Sequence, residues 1–217
     1  MTLTLAVDTT ADFGSISLAD EAGVREEVLL HQPQGFSHIL FAEIEALLRR
    51  QNVTLREIDL FAGASGPGSF TGVRIGLAAI KGLAEVLGRK VVAVSNLEAV
   101  ASFGTAARRA AVIDARRGEV YAALYDAAGN LLSEERVLPL EKFVASLPDI
   151  PFEWVSPDIA SLAPLLTGTH IEAPRAMAGA IAQIALARNA AGLSSDPAAI
   201  EANYVRRSDA ELFWKQL

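Results

Sequence analysis

At 217 residues the chain has material for one large domain or two small ones. Hydrophobic residues make up 51% and charged residues 21%, an ordinary balance for a packed protein, and the net charge of −7 argues against an open basic face able to hold nucleic acid by itself. The absence of cysteine excludes disulfides, thiolate zinc sites and cysteine nucleophiles, and points to a reducing compartment.

The opening MTLTLAVDTT has no basic stretch ahead of an apolar one, so no leader is expected. Residues 3–8, 13–19 and 24–30 read as three short strands separated by turn residues, and Ser37 is placed to cap a helix running to Arg50. Residues 60–64 form a fourth strand that enters the glycine-rich loop SGPGSFTGVRIG. A helix over 72–87, a strand over 91–94 and a helix opened by Ser95 or Asn96 follow. The apolar stretch 75–101 is cut by Lys81, Glu85, Arg89 and Lys90 and falls short of a membrane span of ~18 uncharged residues. Strands and helices in this order predict an α/β fold with a mixed sheet.

The second half restarts the pattern. Shifted by 106 positions, LAVDTTADFGSISLADEAG lies over AVIDARRGEVYAALYDAAG without a gap. Asp8 falls on Asp114, Leu18 on Leu124, Asp20 on Asp126 and Gly23 on Gly129. This is read as an internal duplication. Beyond it, a strand over 131–138, a helix over 140–147, a proline-containing stretch to Pro157 and an alanine-rich helix over 176–190 are expected.

Two features bear on chemistry. Asp8, at the end of a strand and followed by Thr9 and Thr10, supplies either a structural turn or hydroxyl and N–H donors for phosphate with a carboxylate near a metal-bound water. Asp114 stands at the matching place, but Arg116 and Arg117 follow it, and these either bind an anion or plug a cleft. The loop at 65–76 lacks the lysine and adjacent hydroxyl of a P-loop, leaving a structural turn or a weak anion site at a helix start. Ser65 does not sit in a nucleophile elbow. The three histidines, His31, His38 and His170, have no metal-binding spacing, so no metal is assigned.

The helices of the first half carry apolar residues around most of their girth. In the helix at 72–87 the charged residues are Arg74, Lys81 and Glu85, on one narrow stripe. Its neighbour presents Ile39, Leu40, Phe41, Ile44, Leu47 and Leu48. Such a helix is either buried within its own fold or covered by a partner, and Ile39, Leu40, Ile44, Leu47, Val73, Gly76, Leu77 and Ile80 are assigned to a face for another subunit. If those side chains face outward, Leu47→Glu or Ile80→Glu weakens partner binding with little loss of fold.

Together the DTT strand, the GPGSFTGVRIG loop and helix, VSNLEAVA and IDARRGEVYAALYD resemble the bacterial TsaB family, also called YeaZ. The closing ANYVRRSDAE is similar to that family's terminal segment, with Ala202 and Asn203 where proline is more usual. The resemblance implies a duplicated actin-like (ASKHA, RNase H-like) fold in two lobes. These are placed at 1–103 and at 104–217, with the C-terminal segment returning to the first. It also implies a non-catalytic subunit required for threonylcarbamoyl transfer to adenosine 37 of tRNA. Such a subunit binds TsaD, supports recruitment of the ATPase TsaE and meets tRNA only through the complex. The catalytic relative carries an H-x-x-x-H pair where this chain has Ser95-Asn96-Leu97-Glu98-Ala99. The resemblance leaves open a homodimer and a nucleotide at the interface with TsaD. It leaves Asp8, Thr9, Thr10 and Asp114 as a degenerate nucleotide cleft, with no cofactor required by this chain. The competing readings are an actin-like ATPase or kinase acting alone through those four residues, and a peptidase.

Overall fold

Alternating runs of apolar and polar residues build two five-stranded sheets, one in each half of the sequence, in a computed structural model that describes residues 1–162, 166 and 168–206. The chain divides into two units, one formed by Met1–Asn96 with Arg175–Asn203, the other by Leu97–Pro174 with the described residues 204–206.

In the first unit, β1 (Thr4–Asp8), β2 (Phe13–Asp20) and β3 (Gly23–His31) form an antiparallel meander. After α1 (Leu40–Arg50), β4 (Leu60–Ala64) pairs parallel to β1. After α2 (Phe70–Leu87), β5 (Lys90–Val94) pairs parallel to β4, giving the order β3-β2-β1-β4-β5. Ser37 does not cap α1; it lies in a 3-10 turn over Phe36–His38, and α1 starts at Leu40 with no side-chain cap. Ser69 does cap α2, its hydroxyl accepting from Gly72 N–H at 3.2 Å, and Gly88 closes the helix in the left-handed region at φ 62°.

The second unit opens with α3 (Asn96–Ala101 in full) and repeats the plan. It comprises β6 (Arg108–Asp114), β7 (Glu119–Asp126), β8 (Arg136–Pro139), α4 (Leu140–Ser146), β9 (Glu153–Ser156), α5 (Ile159–Leu162) and β10 (His170–Glu172). Read from β8, the sheet runs β8-β7-β6-β9-β10, the order of the first sheet strand for strand. Two copies of one topology make the duplicated actin-like fold. The strand expected over 131–138 begins only at Arg136. The proline-containing stretch up to Pro157 contains β9, whose Trp154 is buried against Phe143 and Phe152.

The repeat is also visible in its turns. Asp20 accepts from Ala22 N–H and Asp126 from Ala128 N–H, both at 2.8 Å, ahead of Gly23 and Gly129 at positive φ. The preceding ladders differ by one step, however. With Asp20 and Asp126 superposed, Asp8, which faces Ser15, corresponds to Ile113, which faces Tyr121. Asp114 comes one residue later, facing Val120. Side chains alternate along a strand, so the one-residue offset puts the second aspartate on the other face. Asp8 is buried and Asp114 exposed.

The last helix, α6 (Ala178–Ala190), belongs to the first unit and contacts all five strands of its sheet. The sheet face it meets carries small side chains, with Ala6 opposite Ser17 and Thr4 opposite Ala19 in adjacent strands. Alanines and Gly179 on α6 allow an equally close approach. With no cap of its own, α6 is capped by the sheet: Ser15 Oγ accepts from Met177 and Ala178 N–H at 2.9 and 2.8 Å, and the Glu27 carboxylate accepts from Gly179 N–H at 2.8 Å. The chain then bridges Ser195 to Val91, buries Ile200 beside α2 and receives the Lys81 ammonium at Ile200 O. On the opposite face of the sheet, α1 and α2 pack over Leu5, Val7, Ile16, Leu18 and Phe61.

Candidate functional site

In α/β sheets the carboxyl ends of the parallel strands are where ligands gather, and in the first unit those ends bring together Asp8, Thr9 and Thr10 after β1, the loop 65–69 after β4, and Asn96 after β5. The groups there bond to one another. Asp8 Oδ1 accepts from Thr10 N–H at 2.9 Å and from Thr10 Oγ1 at 2.6 Å. Asn96 Nδ2 donates to Thr10 Oγ1 at 2.6 Å, while Asn96 Oδ1 accepts from Gly66 N–H at 3.0 Å. Thr9 Oγ1 donates to Gly72 O at 2.7 Å, and Ser69 N–H to Thr10 O at 2.7 Å. Asn203 of the returning segment donates its N–H to Ser65 O at 2.7 Å. Sequence reasoning missed Asn96 as a member of this cluster; its place directly after a strand, where an Asx side chain reaches a neighbouring loop, was the available signal.

The glycines of the loop serve this contact. A Cβ at Gly72 would stand 2.0 Å from Thr9 O, one at Gly68 2.5 Å from Thr10 O, and one at Gly76 2.7 Å from Thr9 Oγ1. The loop backbone thus lies against the threonine turn at positions where only glycine fits. Between the two readings of SGPGSFTGVRIG, the geometry favours a structural turn. Burial pushes the Asp8 carboxyl above its ordinary range, against the opposing hydrogen bonds from Thr10 and Asn96.

A carboxyl whose folded pKa is raised binds its proton more tightly in the fold than in the unfolded chain, so its contribution to stability falls as pH climbs from the ordinary value of 3.8 through the raised one. Asp8→Asn keeps an oxygen for Thr10 and removes the ionisation. The variant is expected to melt above the wild type at pH 7, with the gap closing below about pH 4. Paired thermal melts between pH 3 and 8 read this directly, because the lowered carboxyls of Asp20, Glu26, Glu57 and Asp126 cancel in the difference. A gap that does not change with pH would reject it.

Asp114 lies in the second unit, exposed, its Oδ1 accepting from Arg116 N–H at 2.8 Å and its own N–H donating to Asp158 Oδ2 at 3.1 Å. Among the described residues no group of three or more His, Cys, Asp or Glu is arranged to hold a metal ion, and no helix is long and apolar enough to cross a membrane.

The residues assigned to a partner face need correction. Leu40, Ile44, Leu47, Val73, Leu77 and Ile80 are buried in the core of the first unit, Gly76 is buried against Thr9, and Ile39 is half-buried against the same core. The sheet and the returning segment cover most of the girth of α2, which accounts for its broad apolar surface. Outward, the helices present other residues: Phe41 on α1, 57% exposed, and Arg74, Ala78, Gly82 and Val86 on α2, the last 84% exposed. An apolar groove lined by Phe41, Ile44, Leu48, Val53, Leu55 and Leu83 lies beside them.

Residues 29–196 match the family model described as "TsaD: tRNA N6-adenosine threonylcarbamoyltransferase". Two proteins named "tRNA threonylcarbamoyladenosine biosynthesis protein TsaB" are similar to this chain. That of Bacillus subtilis (strain 168) is 35% identical over 137 residues, 62% of this chain and 59% of its own length. That of Escherichia coli (strain K12) is 32% identical over 160 residues, 70% of this chain and 69% of its own. The match thus spans less than two thirds of the Bacillus protein. A crystal structure from Pseudomonas aeruginosa, described as an uncharacterized protein with similarity to peptidase YEAZ, superposes with a TM-score of 0.82 at 28% identity, covering 95% of this chain and 100% of that one.

Proposed function

Because the chain belongs to the TsaB/YeaZ family and carries the TsaD-like domain, we propose that it serves the formation of N6-threonylcarbamoyladenosine at position 37 of tRNA as a non-catalytic, partner-binding subunit. The threonylcarbamoyl transfer takes place on a TsaD-like partner, a TsaE-like ATPase joins the pair, and tRNA is met through the complex. A nucleotide, where one binds, lies against the partner, and in the partner's absence a second copy occupies the same face. Two observations support a scaffold over a lone ATPase. Asp8, Thr9 and Thr10 are engaged with the chain's own groups, and the loop glycines pack against the threonine turn where a Cβ would not fit.

The observation that carries the docking role is Gly82. It lies in the exposed interior of an 18-residue helix, and a Cβ there would meet nothing within 4 Å. Glycine in such a place costs about 1 kcal/mol against alanine. Nothing among the described residues requires it, whereas a second helix packing backbone-close on α2 does. Ala78 one turn before and Val86 one turn after extend the stripe, and Phe41 of α1 adds an aromatic anchor of the kind enriched at interfaces.

Titration calorimetry with the TsaD-like protein of the same genome tests this. Gly82→Ala should stabilise the isolated chain by about 1 kcal/mol. Gly82→Leu and Val86→Glu should leave the fold intact and weaken binding by about tenfold or more, the scale of a disrupted interface anchor. Unchanged affinity in both would remove α2 from the interface. Sustained ATP hydrolysis by the isolated chain, lost in Asp8→Ala, would replace the scaffold with the ATPase.

A further inference from the structure

Where β2 begins and β3 ends, three planar side chains lie in layers. Phe13 faces His31 across the two strands, their rings stacked with centres 4.5 Å apart and planes 17° from parallel. The Arg175 guanidinium lies over the Phe13 ring, 4.5 Å from its centre. Asp8 faces Ser15, two residues along from Phe13, so the stack stands at the end of the first sheet where the threonine turn also lies. Phe13 is half-buried, whereas His31 and Arg175 are exposed.

Other groups already hold this corner of the first unit. Phe13 and His31 pair through the β2–β3 ladder, and α6 starts on Ser15 and Glu27. Among the described residues, neither the His31 ring nitrogens nor the Arg175 guanidinium makes a hydrogen bond or an ion pair. What the two side chains add is flat surface and one positive charge. Stacking engages the face of a guanidinium and leaves its in-plane N–H donors available.

Aromatic and guanidinium faces are the groups on which unpaired bases of RNA stack, and the N–H donors of arginine suit phosphate oxygens. A protein partner asks instead for an apolar centre. Among the described residues of 9–16, 28–36 and 173–178, Leu29, 50% exposed, is the one exposed large hydrophobic. We infer that the Phe13–His31–Arg175 stack receives an unpaired base of an RNA strand against the His31 ring, with Arg175 donating to the adjoining phosphate. That this RNA is the tRNA to be modified rests on the function proposed above. The net charge of −7 makes the contact an auxiliary one, a single base added to an RNA held mainly by the partner.

His31→Trp keeps a flat ring at the exposed position and adds an indole whose fluorescence a stacked base quenches. The full chain carrying it is titrated at low salt with a short oligoadenylate RNA and, separately, with AMP. The expected result is quenching by the RNA. His31→Ala and Arg175→Gln should each weaken RNA binding by about tenfold while melting close to the wild type, as exposed positions allow. For Arg175→Gln the log–log salt slope should also be shallower by about 0.7, the share of one single-strand phosphate. Assembled with the TsaD-like partner, the same variants should weaken binding of an unmodified tRNA transcript. Absence of quenching by the RNA, or an RNA affinity that neither variant changes, overturns the inference. AMP binding as tightly as the RNA overturns the RNA assignment in favour of a free nucleotide. A wild-type chain that forms no complex defeats the proposed function and the identity of the RNA, while the oligoadenylate titration still reads the stack.

Discussion

Gly72→Ala is expected to destabilise the first unit by about 3 kcal/mol or more, the upper range for overpacking a filled site. The added methyl would lie 2.0 Å from Thr9 O and 3.0 Å from Thr9 C, backbone atoms and not a flexible side-chain end. Neither side can retreat easily. Thr9 follows directly on a central strand and donates its hydroxyl to Gly72 O, and the amide of Gly72 is held by Ser69. Urea melts of the intact chain should show a lower midpoint, with an m-value close to that of the wild type. Gly82→Ala, on the same helix with open space around it, shifts the midpoint the other way and controls for helix propensity. A loss below about 0.5 kcal/mol at position 72, the noise of surface substitutions, would show that the contact between α2 and the threonine turn is loose.

Leu47→Glu and Ile80→Glu are expected to abolish cooperative folding of the first unit, reversing the expectation drawn from helix girth alone. Both side chains are fully buried in the core between the first sheet and its two helices. Deleting such a side chain costs about 2–5 kcal/mol through lost packing, and an unpaired carboxylate in its place adds several more. The sum reaches the whole stability of an ordinary domain, about 5–15 kcal/mol. Circular dichroism on heating should show no sharp transition for either variant, while Val86→Glu melts like the wild type. Variants at 47 and 80 that fold normally yet fail to bind a partner would restore the original placement of the interface.

These two predictions mark where the sequence was readable and where it was not. Period-two strands bounded by Gly, Asn and Asp, and the repeated Asp-x-Ala-Gly turn, carry enough local information to reveal two copies of one topology. The girth of α2 carries a count of apolar positions but not the identity of what covers them. Sheet, α1 and the strap through Ile200 use nearly all of these positions, and among the described residues the stripe through Ala78, Gly82 and Val86 remains exposed. The candidate site was legible in its members but not in its use. Asp8, Thr9, Thr10 and the loop glycines were recognisable, while their mutual hydrogen bonds through Asn96 depend on the neighbouring strand β5. Asp114 aligned with Asp8 letter by letter, and only the ladder shows the one-residue offset that turns it to the other face. β9 and β10, four and three residues long, are too short for a period to register. The weakly amphipathic α6 gave no hint of its destination, although the small residues alternating along β1 and β2 mark a face shaped for close helix packing.

The placement of α6 also sets the order of events at the ribosome. Every strand of the first sheet has been synthesised once β5 ends at Val94, yet one face of that sheet has its cover only after the chain has grown to Ala190. At 5–20 residues per second that interval is roughly 5–20 s, during which the bare face around Ala6, Ser17 and Ala62 is open to water and to other nascent chains. On β1 and β2 this face carries small and hydroxyl-bearing side chains, with Leu60, Val92 and Val94 confined to β4 and β5. That makes it a poorer template for aggregation than the leucine-rich opposite face, which α1 and α2 cover within the same early stretch. The sequence thus leaves until last the face that best tolerates the wait.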